Sequence, residues 1–161
     1  MEPGLKGLRT AVTGDAAGRG RAMADHLAGA GAHVAYCTLH AGDAAAAVQA
    51  LSEHGTHVTV TTIPLHNGAA LARWVRTAAQ DFGGLDLVVC SLGEAPAEAA
   101  LQLLQAARPH LLHSATKAFV AVADDAALHA TLATEAEGLQ LQALPAGPSA
   151  ADWLAGLLPP T

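Results

Sequence analysis

The stretch Thr13-Gly14-Asp15-Ala16-Ala17-Gly18-Arg19-Gly20 lies between an apolar run and a helix-like segment, and it decides the fold of this chain. Where a strand turns into a helix, the first backbone N–H groups have no partner within the helix, and the helix dipole adds partial positive charge. Gly14 permits the tight turn, Gly18 lets a phosphate approach the backbone, and Gly20 lets helix and strand pack closely. The pattern is typical of a dinucleotide-binding loop.

Composition narrows the class of protein. The length of 161 residues is typical of one domain, and 52% apolar against 14% charged residues predicts a packed core rather than disorder. The net charge of −6 and the lack of a basic run argue against nucleic acid as a partner. No apolar stretch reaches the roughly 18 residues that span a membrane, and residues 1–6 lack the order of a signal peptide. We therefore expect a cytoplasmic protein without a membrane partner.

Strand-like and helix-like segments alternate along the whole chain. Predicted strands lie at 8–13, 32–37, 57–63, 85–91, 118–123 and 139–144, and predicted helices at about 18–30, 42–54, 67–82, 96–113, 126–137 and 150–158. Most strands are short apolar runs, as in strands buried on both faces, and glycines follow most of the helices. Strict alternation implies parallel strands with right-handed crossovers. The predicted fold is α/β: a single Rossmann-like domain with a doubly wound parallel sheet of about six strands in the order 3-2-1-4-5-6.

The two cysteines agree with a cytoplasmic protein. Cys37 and Cys90 stand near the ends of the second and fourth predicted strands, which flank the first. Two steps of ~4.8 Å place these strands roughly 9–10 Å apart, whereas a disulfide needs Cα atoms within about 7 Å. We expect two buried thiols and no disulfide.

The chain resembles one family over more than half of its length. Residues 7–22 resemble the opening of a short-chain dehydrogenase/reductase, whose signature is T-G-x-x-x-G-x-G. Residues 26–34 are similar to that family's junction of helix and second strand, and residues 78–89 to its approach to the fourth strand. The register holds without a gap over about 7–93, and shorter pieces resemble the fifth and sixth strands. The resemblance implies the fold above, an NAD(P) cofactor and hydride transfer.

Several cofactor contacts of that family are replaced here. Its ribose-binding Asp at the end of the second strand falls on Thr38, followed by Leu39, and its adenine-contacting Asp after the third strand falls on Pro64. Its Asn-Asn-Ala-Gly after the fourth strand appears as Cys90-Ser91-Leu92-Gly93, and Arg19 replaces the usual isoleucine of the loop.

The resemblance therefore implies a vestigial cofactor site. Its remaining residues are Gly14, Gly18, Arg19, Gly20 and Thr38. We expect no bound cofactor, with residual NAD(P) binding as the alternative.

The family's catalytic pair is missing from its usual place. Proton transfer there uses a Tyr whose pKa is lowered by a Lys four residues later, assisted by a Ser after the fifth strand. The only tyrosine, Tyr36, lies in the second predicted strand, and the serine position falls on Asp124. About 15 residues separate Asp124 from the sixth strand, so the segment with Tyr-x-x-x-Lys is expected to be deleted.

A second alignment gives His113 a catalytic role. His113-Ser114-Ala115-Thr116-Lys117 has the spacing of the Tyr-to-Lys motif with His in place of Tyr. The imidazole would be a base of lowered pKa beside the lysine. Against this alignment, Lys117 leads directly into the fifth predicted strand rather than a long helix.

Further polar residues follow the strands at their carboxyl ends. Asp124 and Asp125 form a carboxylate pair that offers a general acid or base, or else N-cap residues for the helix from Ala126. Ser91 is the last residue of the fourth predicted strand, and His66 follows the third.

Two other candidates carry a functional and a structural interpretation. His40 and His66 offer a metal or catalytic pair, but no third ligand has diagnostic spacing, and exposed loop residues are the alternative. Arg19 either clamps a phosphate or carboxylate, or is a surface residue at a helix start. We expect no metal site.

The helices that form subunit contacts in the resembled family are shortened here. Its fourth and fifth helices form a four-helix bundle between subunits, and its seventh strand and substrate loop have no counterpart here, which implies a truncated and degenerate member. The edge strand 139–144 must be covered by the last helix, with its apolar Trp153 and Leu157, or by a partner chain.

Two classes of function fit these observations. The first is a pseudoenzyme: a non-catalytic structural or regulatory subunit, in a homo-oligomer or beside an intact family member. The second is a repurposed isomerase, cyclase or lyase that binds a small molecule through Arg19, Ser91, Asp124 and His66 without nicotinamide. The orientation of Asp124 separates the two.

Overall fold

The chain folds as a parallel sheet between two layers of helices. The computed structural model describes residues 7–13, 19–38, 41–55, 57–63, 67–90, 97–114, 118–122, 130, 132, 134 and 139–144. The strands are β1 (Arg9–Thr13), β2 (His33–Thr38), β3 (Val58–Thr62), β4 (Leu87–Cys90), β5 (Ala118–Val122) and β6 (Gln140–Leu144). The helices are α1 (Arg19–Gly29), α2 (Ala41–Ser52), α3 (Gly68–Phe82) and α4 (Ala97–Leu111).

The sheet has the predicted topology. Its six strands lie in the order β3-β2-β1-β4-β5-β6, and every neighbouring pair is parallel. In the centre, Val12 of β1 lies beside Tyr36 of β2 and Val89 of β4. The doubly wound Rossmann-like fold is confirmed, and the strand order reverses beside β1.

Successive strand residues pack into different cores because side chains alternate across a strand. On one face, Val34 and Tyr36 of β2 pack with Leu27 of α1 and Leu51 of α2. On the other face, Ala35 and Cys37 belong to the core beneath α3 and α4. That second core contains Phe119, the largest fully buried side chain of the described residues, together with Leu71, Leu103 and Leu104. Both faces of β1, β2 and β4 are buried, as their apolar runs predicted, whereas the end of the edge strand β3 is exposed.

Helix α3 begins and ends where its sequence predicts. Asn67 is the N-cap, and its side-chain Oδ1 accepts a hydrogen bond from the backbone N–H of Ala70 at 3.0 Å. Gly83 ends the helix in the left-handed region at φ 76°, which costs little without a Cβ atom. Leu71, Trp74, Val75 and Ala78 recur at helical spacing on its buried face. No helix of the described residues has the length and apolar character of a bilayer crossing.

The prediction and the structure differ at the start of β4. The apolar run predicted a strand from residue 85, but the ladder begins at Leu87, which pairs with Thr10 and Ala118. Asp86 instead turns its carboxylate to the backbone N–H of Arg9. In the predicted helix 126–137, the described residues 130, 132 and 134 are helical. The predicted helix 150–158 lies outside the described residues.

Candidate functional site

The predicted loop connects the two elements that its pattern requires. Strand β1 ends at Thr13, and α1 begins at Arg19, so the connection enters a helix N-terminus at the carboxyl edge of the sheet. Gly14 and Gly18 lie outside the described residues. Arg19 and Gly20 are the first two residues of α1, and only their backbone is described.

Thr38 lies at the same edge as the loop, at the end of β2. It is buried with 5% exposure, and its carbonyl oxygen accepts a hydrogen bond from the N–H of Ile63 at 2.8 Å. A threonine hydroxyl has one proton to donate, whereas a carboxylate accepts from two ribose hydroxyls at once. Thr38 therefore lies where the resemblance predicts a ribose contact, and it can form fewer hydrogen bonds to a ribose than a carboxylate can.

Cys90 is the last residue of β4, two strands from Cys37. Both cysteines are buried and neither forms a disulfide, as predicted. Burial raises the pKa of the Cys90 thiol to about 12. The thiol is therefore neutral at physiological pH and is not a nucleophile.

Tyr36 lies in the middle of β2, the second strand from one edge of the sheet. It has 3% exposure and packs between the neighbouring strands and the layer of α1 and α2. Its side chain is therefore part of the core.

His113 lies at the opposite edge. Helix α4 ends at Leu111, and the adjacent Ser114 donates a hydrogen bond from Oγ to Asp86 Oδ1 at 2.6 Å, immediately before β4 begins. Because the glycine loop follows the carboxyl end of β1, the length of a strand, roughly 13–16 Å, separates His113 from the loop. The structure does not bring His113 to the cofactor edge.

The remaining candidates lie outside the described residues: His40, His66, Ser91, Lys117, Asp124 and Asp125, with Leu39 and Pro64 of the cofactor contacts. Within the part of the chain that the structure describes, no group of three His, Cys, Asp or Glu side chains is arranged to hold a metal ion.

A partly buried ion pair at the amino edge was not predicted from the sequence. Asp86 accepts hydrogen bonds from Arg9 Nε and Nη2, both at 3.0 Å, and from the Arg9 backbone N–H at 2.9 Å. Ser114 donates a fourth, and Arg9 Nη1 donates to the Gly83 carbonyl at 2.8 Å. The network ties β1, β4 and the ends of α3 and α4 together. Its only sequence signal is a charged residue, Asp86, inside an apolar run.

These contacts shift the pKa values of both charged groups. Burial acts to raise the pKa of Asp86, but the hydrogen bonds from Arg9 and Ser114 outweigh it and hold the pKa below its ordinary value. The hydrogen bond to Asp86 raises the pKa of Arg9. Asp86 is therefore a structural carboxylate that stays ionised.

A cavity lies on the other side of the sheet from α2, between the edge strand β3 and α3. Its volume is about 250 Å³. It is lined by Thr61, Ile63, Ala70, Arg73, Trp74 and Thr77. No pattern in the sequence predicted this cavity, because it depends on how a strand edge and a helix meet.

Comparisons with known proteins agree with this geometry. The profile of the family described as "short chain dehydrogenase" matches residues 9–138. No curated protein sequence matches the chain. One similar solved structure is L-sorbose reductase from Gluconobacter frateurii, in complex with NADPH and L-sorbose. It is 24% identical to this chain with a TM-score of 0.72, and the match covers 88% of this chain and 68% of the reductase chain.

Two further solved structures cover less of their own length. A Sinorhizobium meliloti 1021 protein assigned to the short-chain alcohol dehydrogenases is 26% identical with a TM-score of 0.60, covering 73% of this chain and 54% of its own. Carveol dehydrogenase from Mycobacterium avium, in complex with NAD, is 17% identical with a TM-score of 0.63, covering 76% and 56%. The chain thus spans little more than half of the length of these two proteins.

The sheet order, the buried strands and the strand–loop–helix unit define a Rossmann-like α/β protein. With the family profile matched over most of its length, the chain belongs to the short-chain dehydrogenase family.

Proposed function

We propose that this chain is a short-chain dehydrogenase-like pseudoenzyme, a cytoplasmic structural or regulatory subunit that works beside an intact family member. Tyr36 carries the proposal. It is the only tyrosine of the sequence, and it is buried within β2. A general acid must come within hydrogen-bond reach of the group that it protonates, and Tyr36 has no route to such a position.

The cofactor side of the site supports the same conclusion. Thr38 is a buried hydroxyl where the resembled family has a carboxylate, and Cys90 is a neutral thiol where that family has an amide. A thiol is a weak hydrogen-bond donor and acceptor. Strand β1 still leads into the N-terminus of α1, which is where an anion site forms, so the proposal leaves room for a residual dinucleotide affinity.

Helix α4 supports a role beside another subunit. In the resembled family this helix belongs to the bundle between subunits. Here Gln105 is exposed and Leu101, one turn earlier, is half-buried, while Leu103 and Leu104 are fully buried in the core. We expect this outer face to pack against the equivalent helix of a second family member.

The cofactor proposal predicts weak binding. Titration of the purified chain with NADH and with NADPH in a calorimeter is expected to give dissociation constants weaker than about 1 mM, because fewer charge-assisted hydrogen bonds hold the ribose. Hydride transfer to carbonyl substrates is expected to be at background level. An intact short-chain dehydrogenase in the same buffer is the positive control. Micromolar affinity for either dinucleotide would contradict the loss of cofactor binding.

The subunit proposal predicts a specific complex. Co-expressed with an intact short-chain dehydrogenase of the same genome, the chain is expected to sediment with it and to change its rate per active site. Gln105→Arg is expected to weaken that association at least about tenfold by burying a charge in the interface. Gln80→Arg on α3, the matched control, should leave it unchanged. If the purified chain converted a metabolite without another subunit, that result would contradict this proposal.

A further inference from the structure

The cavity between β3 and α3 is separate from the predicted cofactor loop. Strand β3 is at the edge of the sheet, and β2 lies between it and β1, whose carboxyl end leads into the loop. Two strand spacings, roughly 10 Å, therefore separate the two places. None of the lining residues that the structure describes is one of the predicted cofactor contacts.

The lining combines an apolar floor with one positive charge. Ile63 and Trp74 are buried at 5% and 6% exposure. Arg73 is exposed at the rim and forms no ion pair with any residue that the structure describes. Across from the arginine, the Thr61 side chain at the strand edge is exposed. A guanidinium beside an apolar wall matches a ligand with a carboxylate at one end and an apolar body at the other.

A second observation concerns Trp74. Its indole Nε1 is buried and has no hydrogen-bond partner among the described residues. Buried polar groups are rarely left without partners, and each costs stability. Trp74 is also one of the residues that line the cavity, so its indole reports on what binds there.

The cavity volume limits the size of the ligand. Dry cavities of about 150 Å³ hold a benzene ring. At about 250 Å³, this cavity has room for a ring and one short acidic group. It is smaller than the roughly 300–1,000 Å³ of pockets that take drug-sized molecules.

We propose that this cavity is a binding site for a small amphipathic monocarboxylate. The carboxylate pairs with the Arg73 guanidinium, and the apolar body lies against Ile63, Ala70 and Trp74. The site is distinct from the pseudoenzyme proposal, since none of its described residues is a predicted cofactor contact or lies on the outer face of α4.

The test uses phenylacetate as the probe. In NMR titrations of the full chain labelled with ¹⁵N, phenylacetate is expected to move the Trp74 indole signal in a saturable way. That signal is assigned by its absence from the Trp74→Phe variant. Phenylacetamide, which has the same shape without the charge, should bind at least about tenfold more weakly. Equal binding of acid and amide, or an unmoved indole signal, would overturn the proposal.

Two arginines of one helix provide a matched pair of variants. Arg73→Gln is expected to weaken phenylacetate binding at least about tenfold, because Arg73 carries the only charge among the lining residues that the structure describes. Arg76→Gln removes the same charge from another exposed position of α3 and should change the affinity less than about twofold. Equal losses in both variants would show attraction by net charge rather than a site. The response of both variants to NADH and NADPH should stay the same as that of the wild type. A loss of phenylacetate binding alone would then concern this cavity and not the cofactor proposal.

Discussion

Replacing Asp86 with alanine is expected to lower the free energy of unfolding by about 3 kcal/mol. The carboxylate accepts four hydrogen bonds, three from Arg9 and one from Ser114. Its removal leaves the buried Ser114 hydroxyl without this acceptor and the Arg9 guanidinium without its counter-ion. The measurement is urea denaturation followed by circular dichroism at neutral pH.

The control for this prediction is Asp81→Ala. Asp81 carries the same charge but is exposed on α3, so its loss should change stability by less than about 0.5 kcal/mol. A loss below about 1 kcal/mol in the Asp86 variant would show that the ion pair only offsets the cost of its own burial.

The contribution of Asp86 should depend on pH. The pKa of Asp86 is lower in the folded state than its ordinary value of about 4, so the unfolded chain binds this proton first as the pH falls. The stabilisation is fully present above the unfolded pKa and is lost as the pH falls through the folded pKa. The difference in stability between the wild type and the Asp86→Ala variant should therefore shrink below about pH 4 and stay constant between about pH 5 and 8. A difference that grows on acidification would contradict the lowered pKa.

Replacing Phe119 with alanine is expected to cost about 3–5 kcal/mol of unfolding free energy. Phe119 lies on β5 and is fully buried in the core with Leu103, Leu104 and Leu132. Alanine would remove the ring from the contact between the sheet, α4 and the residue at position 132. The cost of the remaining cavity adds to the lost transfer free energy, because the surrounding side chains relax only in part.

Leu112→Ala is the control for Phe119→Ala. Leu112 follows α4 and is 37% exposed, so its truncation should cost less than about 1 kcal/mol. Thermal unfolding measured by calorimetry should separate the two variants clearly. Similar losses in both would mean that β5 does not pack into the core as the structure has it.

The fold could be predicted because two local signals agree along the chain. Short apolar strands indicated burial on both faces, and the glycines and Asn67 marked the ends of the helices between them. Both signals come from steric and hydrogen-bonding preferences of neighbouring residues, which require no knowledge of distant contacts. The structure confirms them at Asn67 and Gly83, and in the parallel order of six strands.

The site was predictable only in part. The position of the loop followed from the chain order, since the carboxyl ends of parallel strands meet at one edge. The edge to which His113 belongs did not follow from the spacing of its motif. It is set by where α4 ends, and Ser114 is held there by Asp86, 28 residues earlier in the chain.

By itself, the sequence determined the class of this protein: a doubly wound member of the short-chain dehydrogenase family. Only the tertiary structure decided which side chains meet. It buried Tyr36 between two strands and a helix layer, gave Asp86 its partners, and opened a cavity beside Arg73 and Trp74. The reason is physical: secondary structure follows from neighbours along the chain, whereas burial, charge pairing and cavities follow from contacts between residues far apart in it.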